Sequence, residues 1–458
     1  METFELQPTP ENVLSAFEKD IIGRNADVLY FVSLLNSIDS AMSIAVDGRW
    51  GAGKTFFVKQ VKMVLDAFND HICSDYTQYA PRIKAAVESK KIDIEPQVSI
   101  YYDAWINDND EDPILSLIYA TLQSVSSDFK FEHAPQCVSI AASIAEALSG
   151  RNYTSIIDAA KSDDPLAQLR EKKDMHAQIE AFLDSLLREQ GNRLIIFVDE
   201  LDRCKPTFAV RLLERIKHYF TNDRITFVFS INISELQHTI KQYYGSEFDA
   251  FRYLDRFFDL MVDLPPANMD GLYLEKGTKN YSIIYERVCK AVISANEFSI
   301  RESARFYRLA KTAAYKYLDN GVNRCIFSEE RAKLFCMLYI LPIMLGLKIS
   351  NQTAYQEFCH GKNPSPLYHV LSNKIIPVSL LSDLLLGNET FNPRMASEKV
   401  KLVNLRGKLE QVYDAVFVHR YEAENYEVSL GGLCFCGENK IELLKVASLL
   451  SDYADYEN

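Results

Sequence analysis

A chain of 458 residues is too long for one hydrophobic core, and at ~150 residues per domain it divides into about three units. Its 48% hydrophobic and 12% aromatic content excludes a disordered polymer. A net charge of −13, with no long run of Lys or Arg, repels a phosphodiester backbone and does not indicate nucleic-acid binding. The nine cysteines are odd in number and mostly far apart, and Met1–Thr9 is not a basic-then-apolar leader. The expectation is free thiols in a reducing, cytoplasmic compartment.

Glu11–Asp20 reads as a helix leading into Asp20-Ile21-Ile22-Gly23-Arg24. An amphipathic run over Asp27–Ile38 follows, with Val28, Phe31, Leu34 and Leu35 on one face. Two roles fit this segment: packing on a nucleotide base, or a plain capped helix with Gly23 as a turn. Ser43-Ile44-Ala45-Val46 then reads as a short buried strand, and it runs into Asp47-Gly48-Arg49-Trp50-Gly51-Ala52-Gly53-Lys54-Thr55.

That stretch meets G-x-x-x-x-G-K-[ST] at every required position, and the apolar spacing from Phe56 onward predicts a helix after it. Gly48, Gly51 and Gly53 allow backbone angles closed to other residues, so successive N–H groups of Arg49, Trp50, Ala52 and their neighbours through Phe56 can surround phosphate oxygens. Lys54 is expected to reach the β- and γ-phosphates and Thr55 to ligate Mg²⁺, at the positive end of the helix dipole.

Val98–Trp105 reads as a strand entering an acidic segment that ends at Asp112-Pro113, where proline suits the first turn of the next helix. Asp103 at that strand end is a weaker candidate for a polar contact near the metal. Phe129–Gln190 reads as a helical insertion without chemistry. Leu194-Ile195-Ile196-Phe197-Val198 is a doubly buried strand of the parallel kind, and Asp199 and Glu200 begin at its carboxyl end, where open α/β sheets bind ligands. Asp199 is placed to hold Mg²⁺, and Glu200 to polarise an attacking water. Asp202 suits a helix cap.

Ile225–Ile231 is a third buried strand followed by Asn232, which fits either a γ-phosphate sensor lying between the two motif strands or a helix cap. Tyr253–Pro266 closes the core with a strand and a proline stop. Arg256 fits either a finger on a γ-phosphate, its own or a neighbour's, or a surface ion pair with Asp255 or Asp259.

The loop Gly48-Arg49-Trp50-Gly51, the strand end Tyr102-Asp103-Ala104-Trp105 before Asp112-Pro113, the box Asp199-Glu200-Leu201-Asp202-Arg203-Cys204 and the ending Tyr253-Leu254 to Leu264-Pro265 together resemble the KAP P-loop NTPases. The resemblance spans roughly Asp20–Pro266. Two departures stand out: the family usually has Asn where this chain has Asp103, and many members carry membrane helices between the two motifs, where Phe129–Gln190 has none. The resemblance implies an α/β core with a parallel sheet between helices (residues 1–266), using ATP and Mg²⁺. It also implies an ATP-driven switch, in bacteria often linked to defence against phage, and frequent homo-oligomers.

Residues 267–458 read as a mainly helical lid and interaction domain. Ser299–Phe306 has a capped start and looks like the lid of related ATPases, with Arg301 the candidate for nucleotide contact. No nuclease or protease constellation occurs there, so any effector is expected to be a separate protein. The longest uncharged run, Leu334–Leu347, covers as a helix only ~21 Å of a ~30 Å hydrocarbon layer and contains Pro342. A buried core helix is expected.

Overall fold

Uninterrupted β-branched and aromatic runs build the sheet. β1 (Met42–Asp47), β2 (Val98–Asp103), β3 (Leu194–Asp199), β4 (Ile225–Ile231) and β5 (Leu260–Asp263) are all parallel, in the order β2-β3-β4-β1-β5. β3 and β4 are buried at every position, as strands covered on both faces must be. Alternation divides them: Ile196, Val198, Phe227 and Phe229 join one apolar cluster, while Ile195, Phe197 and Val228 are buried on the other face. The register aligns the carboxyl ends, with Asp103 opposite Asp199, Asp199 opposite Ser230, and Asp47 opposite both Ile231 and Asp263. β4 therefore lies between the two motif strands, as the sequence led us to expect.

The computed structural model describes residues 7–72, 74–88, 92, 94–126, 177, 179–184, 186–187, 191–220, 222–265, 267, 283–318, 331–377, 381, 385, 398–420 and 427–448. The chain divides into two compact units, Gln7–Asn268 and Met269–Asn458. Helices flank the sheet of the first: α1 (Pro10–Glu18), α2 (Asn25–Asn36), α3 (Lys54–Ala67), α4 (Ala80–Glu88), α5 (Pro113–Ser126), α6 (Pro206–Tyr219), α7 (Ile233–Tyr244) and α8 (Ala250–Leu254). Their starts follow local chemistry. Asp112 Oδ1 accepts from the N–H of Ile114 (2.8 Å) and Leu115 (3.3 Å) ahead of Pro113, and Pro10 and Pro206 occupy first turns. Most of the expected insertion at 129–190 lies outside the described residues; Ile179, Phe182 and Leu186 from its end pack in the sheet's core cluster.

In the second unit, α9 (Ile283–Ala295), α10 (Ile300–Leu318), α13 (Gln352–Cys359), α14 (Ser365–Leu371), α15 (Glu398–Tyr413) and α16 (Gly437–Ser448) share one apolar cluster with a long central helix. That helix is built from α11 (Arg331–Phe335), a π-helical turn at Cys336–Ile340, and α12 (Leu341–Ser350). The wider turn sits just before Pro342, which lacks the N–H an α-helix would need there. Two short strands, β6 (Val428–Leu430) and β7 (Leu433–Phe435), form an antiparallel hairpin the sequence reading did not include.

The central helix corrects one expectation. It spans 20 residues, Arg331–Ser350, with mean hydropathy 1.8, so by length and composition it is sufficient to cross a membrane. Its burial is what identifies a core helix: 78% of its most apolar window is enclosed by the unit. The run exceeds the uncharged stretch because its flanking lysines find partners, Lys333 Nζ on Glu442 (2.8 Å) and Lys348 Nζ on the Ala447 carbonyl (3.1 Å).

Candidate nucleotide site

The loop after β1 leaves the sheet against β4, with the Gly48 N–H donating to the Ile231 carbonyl (3.1 Å). Gly51 and Gly53 take φ of +79° and +89°, a conformation open to glycine. α3 then starts without a side-chain cap, and its first internal bond runs from the Phe57 N–H to the Gly53 carbonyl (2.9 Å). Among the described residues the N–H groups of Gly51, Gly53, Lys54, Thr55 and Phe56 therefore have no backbone acceptor. Five unengaged amides at a helix amino end make a ready anion cradle. The Phe56 side chain is buried, leaving only its amide for a ligand, while Arg49 and Trp50 are exposed on the loop.

Lys54 is 8% exposed, and its Nζ donates to the carbonyls of Gly48 (2.6 Å) and Arg49 (3.3 Å), leaving one proton uncommitted. Burial lowers its pKa from the usual lysine value, and the charges of Asp202, Asp199 and Asp47 oppose that shift. A Cβ on Gly48 would lie 3.3 Å from Lys54 Cγ, so glycine is what lets the lysine fold along the loop. The loop is braced from outside by Arg24, buried after α1, whose guanidinium donates to the Ala52 carbonyl (2.8 Å) and to the Pro265 carbonyl. Burial brings its pKa down to about 10.

At the end of β3, Asp199 is 1% exposed. Its Oδ2 accepts from the Tyr101 hydroxyl (2.8 Å) and its Oδ1 from the Glu200 N–H (3.0 Å). Glu200 holds φ of +61°, a left-handed conformation that costs a non-glycine residue about 1–3 kcal/mol and recurs at functional sites. Its Oε2 lies 2.5 Å from Arg203 Nη1 as an ion pair, yet no donor hydrogen is aimed at that oxygen among the described residues. Burial raises the Glu200 pKa, Arg203 opposes the shift, and Asp199, Asp103 and Asp202 reinforce it.

The two halves meet through Asp202, whose Oδ2 accepts from Trp50 Nε1 (2.6 Å) across 152 residues of chain. The cap expected of Asp202 is not formed: this buried acid sits in the middle of a short 3₁₀ turn and binds the loop tryptophan, and α6 starts at Lys205 without a side-chain cap. Asp103 sits beside Asp199 in the strand register and caps its own turn by accepting from the Ile106 N–H (3.0 Å); burial raises its pKa. Asn232 caps α7, accepting from the Glu235 N–H (3.5 Å), and its carboxamide nitrogen has no partner among the described residues.

Arg256 is not brought to the loop. It precedes β5, just before which Asp259 bonds to Ser43 at the start of β1, and its carbonyl accepts from Lys217 at the far end of α6. That places it at the amino edge of the sheet, about 20 Å of strand from the phosphate loop of the same chain. Its exposed side chain makes no ion pair among the described residues, so the alternative of a surface pair with Asp255 or Asp259 is not formed there. Arg301 is exposed in the first turn of α10 in the second unit, where Ser299 and Glu302 form the reciprocal cap read from the sequence (2.8 and 3.3 Å).

Sequence reasoning missed three residues: Tyr101, Arg24 and Arg203. Tyr101 and Arg24 carry no local signature, because each acts through a partner fixed only by strand register or loop path; Arg203 had one in its i,i+3 spacing from Glu200. No curated protein matches the chain. The family model described as the KAP family P-loop domain matches residues 26–279, more than half of the chain and both halves of the site. With a parallel sheet, a glycine-rich loop and an acid pair in the places that domain requires, the chain belongs to the KAP family of P-loop domains, and with it to nucleotide-binding proteins.

Proposed function

We propose that the chain binds ATP with Mg²⁺ and hydrolyses it. The single observation that carries this reading is the half-buried Glu200 carboxylate, on a strained residue that follows the Asp199 strand end, beside a loop of unengaged amides. The amides of Gly51, Gly53, Lys54, Thr55 and Phe56 and the third proton of Lys54 hold the triphosphate. Thr55 and Asp199 supply hard oxygen donors suited to Mg²⁺, which when bound neutralises charge between the β- and γ-phosphates. Glu200 Oε2 orients a water toward the γ-phosphate and takes its proton. The free Asn232 carboxamide nitrogen is offered to a γ-phosphate oxygen. Arg256, distant from the loop of its own chain, is offered to a neighbouring copy's nucleotide, which makes a homo-oligomer part of the proposal.

Hydrolysis then resets a switch in which ATP favours one arrangement of the chain over another. The biological setting follows the family resemblance: a bacterial ATPase of anti-phage defence acting with a separate effector protein. The six described cysteines are all unpaired, which supports a reducing compartment. The test is E200Q. Hydrolysis should fall about 100-fold or more while ATP binding persists, and unchanged turnover sinks the reading. Biological output that survives in E200Q would instead favour a nucleotide-dependent scaffold with incidental turnover. Equal masses with and without a non-hydrolysable ATP analogue would count against assembly.

A further inference from the structure

The chain has two tryptophans, and both lie against one side chain. The Arg203 guanidinium sits 5.8 Å from the Trp50 ring centroid and 5.4 Å from that of Trp105, within cation–π range of each. Trp50 belongs to the phosphate loop and is fixed by its bond to Asp202, whereas Trp105 follows the end of β2. The same guanidinium meets Glu200 Oε2 at 2.5 Å, with the Arg203 and Glu200 side chains only 22% and 18% exposed.

An ordinary i,i+3 surface pair contributes a few tenths of a kcal/mol and needs no further support. This pair is different in three respects. Its cation is planar and held by aromatic rings from two separate segments. Its anion belongs to a residue with φ of +61°. The contact is close without being a directed hydrogen bond, so the guanidinium fixes where the carboxylate sits chiefly through charge.

We propose that Arg203 is a positioning residue: held by Trp50 and Trp105, it fixes the Glu200 carboxylate for the attacking water, and through Trp50 it ties that placement to the phosphate loop. The inference rests on the reading of Glu200 given above and adds what keeps that residue in place. Guanidinium is suited to the task because a lysine ammonium can supply the charge but neither the planar face nor the fork.

Single-turnover hydrolysis and binding of a non-hydrolysable ATP analogue are measured for the wild type, R203M, R203K, E200Q and the double variant R203M/E200Q. R203M should lose about 10- to 100-fold in hydrolysis, the cost of an ångström-scale misplacement, with analogue affinity within about two-fold of wild type on the same ground that positioning acts on the chemical step. R203K should be intermediate. In the E200Q background R203M should cost nothing more, because its only route to the chemistry has been removed. The tryptophan emission of the resting protein should change in R203M, since both tryptophans flank the guanidinium.

Wild-type hydrolysis in R203M, the same fold-loss in both backgrounds, or unchanged emission overturns the inference and leaves the ATPase reading standing. Wild-type turnover in E200Q overturns both. Should R203M fail to fold, W105F and R203K carry the test: W105F should lower hydrolysis a few-fold without weakening analogue binding, and wild-type rates in both variants overturn the proposal.

Discussion

Gly346 lies inside α12, facing α9 at a distance only glycine permits. A Cβ built there would stand 2.3 Å from Val292 Cγ1, against the ~3.5–4.0 Å of an ordinary carbon contact. Val292 is fully buried and β-branched in a helix, so its χ1 has little freedom to turn the methyl aside. The two helices must then separate by about an ångström, and overpacking of that size costs ~1–3 kcal/mol. Against this, alanine gains ~1 kcal/mol of helix propensity over glycine. Taking the upper end of the overlap cost, G346A should destabilise the second unit by about 2 kcal/mol, a fall of roughly 4–8 °C in Tm for a unit of this size. Thermal and denaturant unfolding of the full chain check it. In a V292A background the methyl is gone, and G346A should be neutral or stabilising by up to ~1 kcal/mol. A G346A protein that melts at or above the wild-type temperature refutes the packing argument.

Two further substitutions probe the supports of the site. Y101F removes the only hydroxyl on Asp199 Oδ2 among the described residues; a bond to a charged acceptor contributes ~1.5–3 kcal/mol, so stability should fall and more Mg²⁺ should be needed for half-maximal hydrolysis. Unchanged stability and Mg²⁺ dependence would remove Tyr101 from the account. R24A deletes both carbonyl contacts of a buried guanidinium, one of them on the loop itself. It should cost ~3 kcal/mol in denaturant unfolding, and a nucleotide titration should show affinity weakened by about ten-fold or more, since ~1.4 kcal/mol lost at the loop is one decade. Wild-type affinity in R24A would mean the loop holds its shape unaided.

What could be read from the sequence was chemistry confined to neighbours in the chain. The phosphate loop, the acids after Val198, the Asp112-Pro113 start and the Ser299–Glu302 cap all depend on spacing within a few residues, and the structure forms each of them. Pairings set by sheet order were beyond reach: Trp50 to Asp202, Tyr101 to Asp199 and Arg24 to Ala52 or Pro265 need the strands aligned first. Arg256 shows the same limit from the other direction, since its spacing before β5 says nothing about which edge of the sheet it occupies. The central helix was read too short because charges were taken as boundaries, whereas Lys333 and Lys348 reach partners beyond the apolar run. The hairpin had a signal, Gly431-Gly432 between short apolar runs with Gly431 at φ +60°, but strands of three residues leave little periodicity to detect.

The strand that separates β1 from β3 works as a spacer. Neighbouring strands run ~4.8 Å apart, so a lysine rooted after β1 and carboxylates rooted after β3 start about 10 Å from one another. Were the two strands side by side, cation and anions would collapse into a closed pair and neutralise each other with nothing between them. Held two strand-widths apart, their backbone roots keep a separation set by the hydrogen-bonded ladders of β4, which no side-chain rearrangement can narrow.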